Sequence, residues 1–263
     1  MILTANSQVV RQTRRKTGNG WHTTFIGENR NTLKQGQTPP EAGTLYPMAF
    51  LVEKEPHAVT KPHFHQADQY QVIVQGGGRL GTHDVGTVAV HYTDAWSAYG
   101  PIVAADEGIS WFTLRNTWDS GARYMPAARE ALRAARVQNF QHREATAHPM
   151  PVASAEQLAR TDVLSSWTII EQTPDGMATW RYRLPPEASV SGPDPRDGGG
   201  QFWIVLSGSA SAGGAAYLPP NSCVFVAPHD EALTVLAGDR GAEALCLRQA
   251  QALMSSCTVC ESG

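Results

Sequence analysis

Two stretches of this chain are written twice. Gln69-Tyr-Gln-Val-Ile-Val-Gln-Gly76 is echoed by Gln201-Phe-Trp-Ile-Val-Leu-Ser-Gly208, and Gly108 to Arg115 is echoed by Gly241 to Arg248, offset by 132 and 133 positions. A repeat that long, with the same offset at two places, makes the chain one structural unit used twice. Both copies read like strands, the first stretch ending on glycine and the second beginning with it. The residues around the first copy add further short strand-like runs, Trp21 to Ile26, Met48 to Val52, Gly86 to His91, Trp96 to Ile102 and Gly108 to Arg115. Many short strands at close spacing point to a mainly β fold of barrel or jelly-roll type. Between the copies, Met125 to Arg136 is rich in alanine, leucine and arginine and reads as a helix. The expected organisation is an N-terminal barrel with a basic arm over 1–118, a helical linker over 119–160, and a second barrel over 161–263.

The first copy is preceded by His63-Phe-His65. Side chains alternate across a strand, so two histidines one residue apart share a face and make a two-pronged clamp. Gln66-Ala67-Asp68 reads as a tight turn, which folds Gln69 back beside the pair. Gln71 has the same parity as Gln69 and lines the same interior; Trp111 and Phe112 take opposite faces of the closing strand, so one of them is pocket wall.

The spacing of His63, His65, Gln69 and Gly76 resembles the first motif of the cupin superfamily, in which two histidines are followed by a glutamate and then a glycine. Gln69 stands at the glutamate position, and His57 stands where the family has a glycine. The family's second motif falls on Gly86, Tyr92, Asp94, Ser97 and Pro101, with Ser97 in place of the third histidine. In the second copy the histidine pair aligns with Pro193 to Arg196, and the second motif with Ser222, Pro228, Asp230 and Leu233, so no ligand survives there. The resemblance implies a bicupin, two tandem double-stranded β-helix barrels, with a metal-capable first barrel and a degenerate second one that packs on the first or helps form a homodimer. It also implies one divalent transition metal (Fe, Mn, Ni or Zn) and dioxygenase-type oxidoreductase chemistry, or metal-assisted lyase or isomerase chemistry, on a small polar substrate.

Three readings of the pocket remain open at this stage. His63, His65 and the amide oxygen of Gln69 hold the metal, with His91 or Tyr99 completing the shell. Alternatively the same groups bind an organic ligand without metal, in a non-catalytic binding or sensing barrel. In the third, they only satisfy one another. Tyr99, two residues beyond Ser97, is the candidate for proton transfer, and Gln71, Ser97 and Tyr99 are the candidates for substrate contact.

Composition narrows the partner. A net charge of −3 and the lack of an 18-residue apolar run give no reason to expect nucleic acid or a membrane, which leaves a small molecule. The four cysteines are too few for a disulfide scaffold and fit a reducing cytoplasm. The first 20 residues lack the apolar core of a secretory signal and read as a solvated arm, and Cys257-Thr-Val-Cys260 lacks the two further ligands a zinc site needs.

Overall fold

In the computed structural model, which describes residues 1–28, 38–41, 43–136, 143–214 and 216–251, the strands form two large antiparallel sheets and one small one. The first sheet runs Glu144–Ala147, Val90–Thr93, Gln69–Leu80, Ile102–Thr117, Leu45–Lys54, Gly20–Ile26 and Arg15–Lys16. The second runs Ile2–Ala5, Cys223–Val226, Gln201–Ala212, Thr234–Arg248, Ala178–Leu184 and Ser165–Ile170. Both are built on the repeat, because in each the strand that opens with glutamine pairs with the long strand that carries the second repeated stretch.

The repeated glycines mark where these long strands bend. Gly76 has φ 66° and Gly208 φ 71°. A Cβ at Gly76 would lie 2.2 Å from the Gly108 carbonyl oxygen, and one at Gly208 2.1 Å from that of Gly241. Positive φ and this close backbone approach both select glycine, and the ladder shifts register at the same points. His57 keeps the left-handed conformation, φ 61°, at the position where the resembled family has glycine.

Strand parity divides the apolar residues among three cores. Tyr70, Val72, Phe112 and Leu114 face outward from the first barrel and pack with Phe202, Ile204, Leu245 and Leu247 of the second. The alternate residues fill the interiors: Ile73 and Trp111 in the first barrel, Trp203, Val205, Ala244 and Cys246 in the second. The two barrels therefore meet along their sheet faces. Hydrogen bonds fix the contact, from Tyr70 Oη to the carbonyls of Ala178 and Arg248 (3.1 and 3.0 Å) and from Asn116 Nδ2 to that of Gly199 (2.9 Å).

Some expectations are corrected. The start of the arm is not a free arm, since Ile2–Ala5 pairs with the edge strand Cys223–Val226 of the second barrel. Trp96 to Ile102 is not a strand: Trp96 takes φ 59° and only Tyr99 makes a bridge, to His63. Within 119–160 there is the helix Arg129–Arg136, shorter than read because residues 125–128 form turns, and the helix Ala155–Ala159, opened by a Ser154/Gln157 capping box. The same stretch gives two strands to the first barrel's side, Arg123–Tyr124 on His63–Phe64 and Glu144–Ala147 on Val90–Thr93. Cys257 and Cys260 lie outside the described residues.

In the second barrel the inward position of Trp203 depends on Gly192, whose Cβ would lie 2.3 Å from the indole Cζ2. Gly192→Ala is expected to lower stability by about 1–3 kcal/mol through overpacking. The check is a lower urea midpoint with an unchanged denaturant slope.

Candidate functional site

The first barrel encloses a cavity of about 470 Å³ into which His63, His65, Gln71, Tyr99, Trp111 and Arg115 project. His63–Phe64 delivers the two histidines to one face, while Phe64 is fully buried on the other. Arg115 arrives from the last turn of the closing strand, with the inward parity of Trp111 and Thr113. Asp119 follows in the loop beyond it.

A chain of hydrogen bonds joins these groups. Arg115 donates from Nε (3.1 Å) and Nη2 (2.8 Å) to the Gln69 side-chain oxygen, and from Nη1 (3.0 Å) to Asp119 Oδ2. Asp119 Oδ2 also accepts from His65 Nδ1 and from the Gly121 backbone N–H, both at 2.8 Å, and Oδ1 from the Gln66 backbone N–H at 2.8 Å. On the other side, Gln69 Nε2 lies 2.6 Å from Tyr99 Oη, which lies 2.9 Å from His63 Nε2. His63 Nδ1 lies 2.8 Å from the Lys61 carbonyl oxygen. The protons order themselves. Lys61 O can only accept, so His63 carries its proton on Nδ1 and accepts at Nε2 from the Tyr99 hydroxyl. Tyr99 in turn accepts from the Gln69 amide.

The electrostatics follow from burial around one fixed cation. Burial, then the Arg115 charge, push the His65 imidazole down to about 3, and burial chiefly lowers His63, so both rings are neutral near pH 7. Burial alone would raise the Asp119 carboxyl; Arg115 and His65 outweigh it and hold the group well below the usual carboxylate range. Burial raises the Tyr99 phenol, which therefore keeps its proton.

The donor set does not fit the resembled family's four-ligand metal shell. Arg115 fixes the Gln69 amide with its oxygen turned away, since the flipped amide would set N–H against N–H; what Gln69 offers the site is an N–H group, which has no lone pair to give. The Nε2 lone pair of His63 is engaged by Tyr99. His91, expected beside the metal, is buried behind the wall, its Nδ1 2.9 Å from Thr146 Oγ1, and is not part of the cavity lining. Ser97 is buried but likewise outside the lining. Among the described residues no three or more histidine, cysteine, aspartate or glutamate side chains are arranged to hold a metal ion.

Of the expected residues, then, the fold brings His63, His65, Gln71 and Tyr99 to the cavity and places Gln69 just behind them. It adds Arg115 and Asp119. Arg115 lies inside the second repeated stretch, and a charged residue at an inward position of an apolar strand is itself a signal of a buried pair. Arg15 and Lys54 also line the cavity, and among the described residues its lining holds one carboxylate, Asp119.

No family model matches the chain, and no curated protein matches it. Solved structures do. Oxalate decarboxylase from Lactobacillus farciminis, in a formate complex, superposes with a TM-score of 0.58 at 12% identity over 94% of this chain and 86% of that one. The 11S globulin of Wrightia tinctoria, described with an auxin binding site, gives 0.57 at 11% over 95% and 83%. A bacterial pirin from Escherichia coli in complex with nickel(II) gives 0.56 at 11% over 96% and 100%. All share the cupin fold. The chain is thus a mainly β protein of two cupin-type barrels, and among its described residues no helix is long and apolar enough to cross a membrane.

Two outcomes test this network. Asp119→Ala strips the buried guanidinium of its counterion and is expected to cost about 3–5 kcal/mol, whereas the Arg115→Met/Asp119→Asn double variant, which removes both charges, costs much less. Urea midpoints of the two decide it.

Acid is also expected to destabilise the fold. Burial lowers His22 to about 4 and His91 to about 3, alongside His65. Unfolded histidines take up protons near 6.5 while these stay neutral, so the unfolded state binds more protons and stability falls as pH drops from about 6.5. Asp68, raised by burial to about 6, acts in the opposite sense, but one group opposes three. A urea midpoint unchanged between about pH 7.5 and 5 would refute this.

Proposed function

We propose that the N-terminal barrel binds a small organic anion, with the Arg115 guanidinium, rather than a metal, as its central positive charge. One observation carries the reading. Arg115 is 3% exposed, lines the cavity, and ties up the one side-chain oxygen, that of Gln69, at the position of the family's acidic ligand. Three of its five N–H groups serve Gln69 and Asp119, and Nη2 also lies 3.0 Å from His65 Nδ1, so the guanidinium is held in place at the cavity wall. Lys54 and Arg15 add two more cations to the wall against the single carboxylate of Asp119. A cavity of this size with three guanidinium or ammonium groups and aromatic walls suits a small carboxylate. The two barrels then divide the work, the first binding and the second supporting it across the shared sheet face.

A second reading, metal-assisted chemistry on the same anion, rests on one feature. Both His63 and His65 have Nδ1 tied to an acceptor, the arrangement that orients a metal-binding imidazole. It requires Tyr99 to leave His63, with His63 and His65 as the protein's donors and Tyr99 nearby for proton transfer.

Calorimetry with acetate, benzoate and phenylacetate, paired with elemental analysis after loading with Fe(II), Mn(II), Ni(II) or Zn(II), separates the two. The proposal expects carboxylate binding that weakens with added salt, falls at least tenfold in Lys54→Ala, and is lost in the Arg115→Met/Asp119→Asn double variant, with no stoichiometric metal. Near one metal per chain, lost in the His63→Ala/His65→Ala double variant, would favour the second reading instead.

A further inference from the structure

We propose that Gln71 and Trp111 form a hydroxyl-recognition subsite in the cavity wall, so that the anion bound by the barrel carries a hydroxyl apart from the charged group that meets Arg115. The inference rests on the anion-binding reading above and specifies its ligand. Two buried polar atoms of the cavity wall have no hydrogen-bond partner, Gln71 Oε1 and Trp111 Nε1. Gln71 is 3% and Trp111 4% exposed, so solvent does not serve them.

Register places the two side by side. Gln71 pairs with Thr113, and Trp111, two residues earlier on that strand, pairs with Ile73. Both residues point inward, so they are diagonal neighbours on one face, within reach of a single small group. One orphan is a donor and the other an acceptor. A hydroxyl answers both at once: its oxygen accepts from the indole N–H and its proton goes to the Gln71 oxygen. A methyl or a hydrogen atom answers neither, and would bury both atoms unsatisfied on binding. His91, Gln71's partner on the other strand, also has an unpartnered Nε2, but it is outside the cavity lining, so the subsite is assigned to Gln71 and Trp111.

The test uses matched pairs of acids that differ by one terminal hydroxyl: 4-hydroxyphenylacetate and phenylacetate, 3-(4-hydroxyphenyl)propionate and 3-phenylpropionate, 6-hydroxyhexanoate and hexanoate. Affinities are measured by calorimetry on the full chain, for the wild type, Gln71→Leu and Trp111→Phe, with thermal melts confirming that each variant folds. For at least one pair the hydroxylated acid is expected to bind wild type at least tenfold more tightly. That ratio is expected to fall toward one in both variants. Equal affinity within every pair for wild type overturns the subsite and leaves the anion reading standing. A preference that survives in both variants overturns the assignment to Gln71 and Trp111. If no acid binds at all, the anion reading itself has failed, and the subsite with it.

Discussion

A guanidinium held out of water cannot shed its charge, and much of the first barrel's interior is arranged around that fact. Arg115 needs an ionised partner, which Asp119 supplies; Asp119 in turn is held by His65 and by two backbone N–H groups. The oxygen of Gln69 accepts two further N–H groups of Arg115, which fixes the direction of its amide, and the amide fixes the Tyr99 hydroxyl, which fixes His63. Six side chains thus have one consistent set of donors and acceptors, and the order starts from the cation. A glutamate at position 69 would add a second carboxylate to Arg115 and free an oxygen for a metal. Glutamine removes that choice.

The fold was largely legible in the sequence because its physics is local and repeated. The bend at Gly76 recurs at Gly208 because both strands must pass within touching distance of a neighbouring backbone, and only glycine fits there. The alternation Tyr70, Val72 against Gln69, Gln71 already separates the barrel-to-barrel face from the interior, and the second copy repeats it with Phe202, Ile204 against Gln201, Trp203. Trp111 proves to be the wall, with Phe112 in the joint between barrels. What the repeat could not convey was long-range pairing, such as Ile2–Ala5 crossing to the second barrel, since nothing in a four-residue strand names its partner.

The site was legible only in part, for a related reason. Strand parity brought His63, His65 and Gln71 to the cavity, but parity fails in a loop: of Ser97 and Tyr99, read as sharing a face, only Tyr99 lines the cavity, held by its bridge to His63. Motif spacing aligned Gln69 with a metal ligand; its orientation depends on Arg115, 46 positions away. Asp119 was hidden because it follows the last strand, where the pattern becomes irregular, and its place beside His65 comes from the loop leading to Arg123–Tyr124 on the histidine strand.

The two barrels share a backbone plan and differ in how the interior is filled, and register shows how. Gln71 lies opposite Thr113, and the equivalent pair in the second copy is Trp203 opposite Cys246; Trp111 lies opposite Val52, and its equivalent Ala244 lies opposite Tyr182. The tryptophan has moved from the closing strand to the opening one, where it stacks on Tyr182 at 5.3 Å and presses against Gly192. Its N–H is taken by Gln201 Oε1 at 3.2 Å. In the first barrel the indole N–H has no partner, and a valine stands where the second has a tyrosine, which leaves room beside it. A repeat under selection for packing alone fills its interior, as the second barrel does around Trp203. The first keeps space, a buried cation and two orphan atoms in one place, a combination that costs stability unless something binds there.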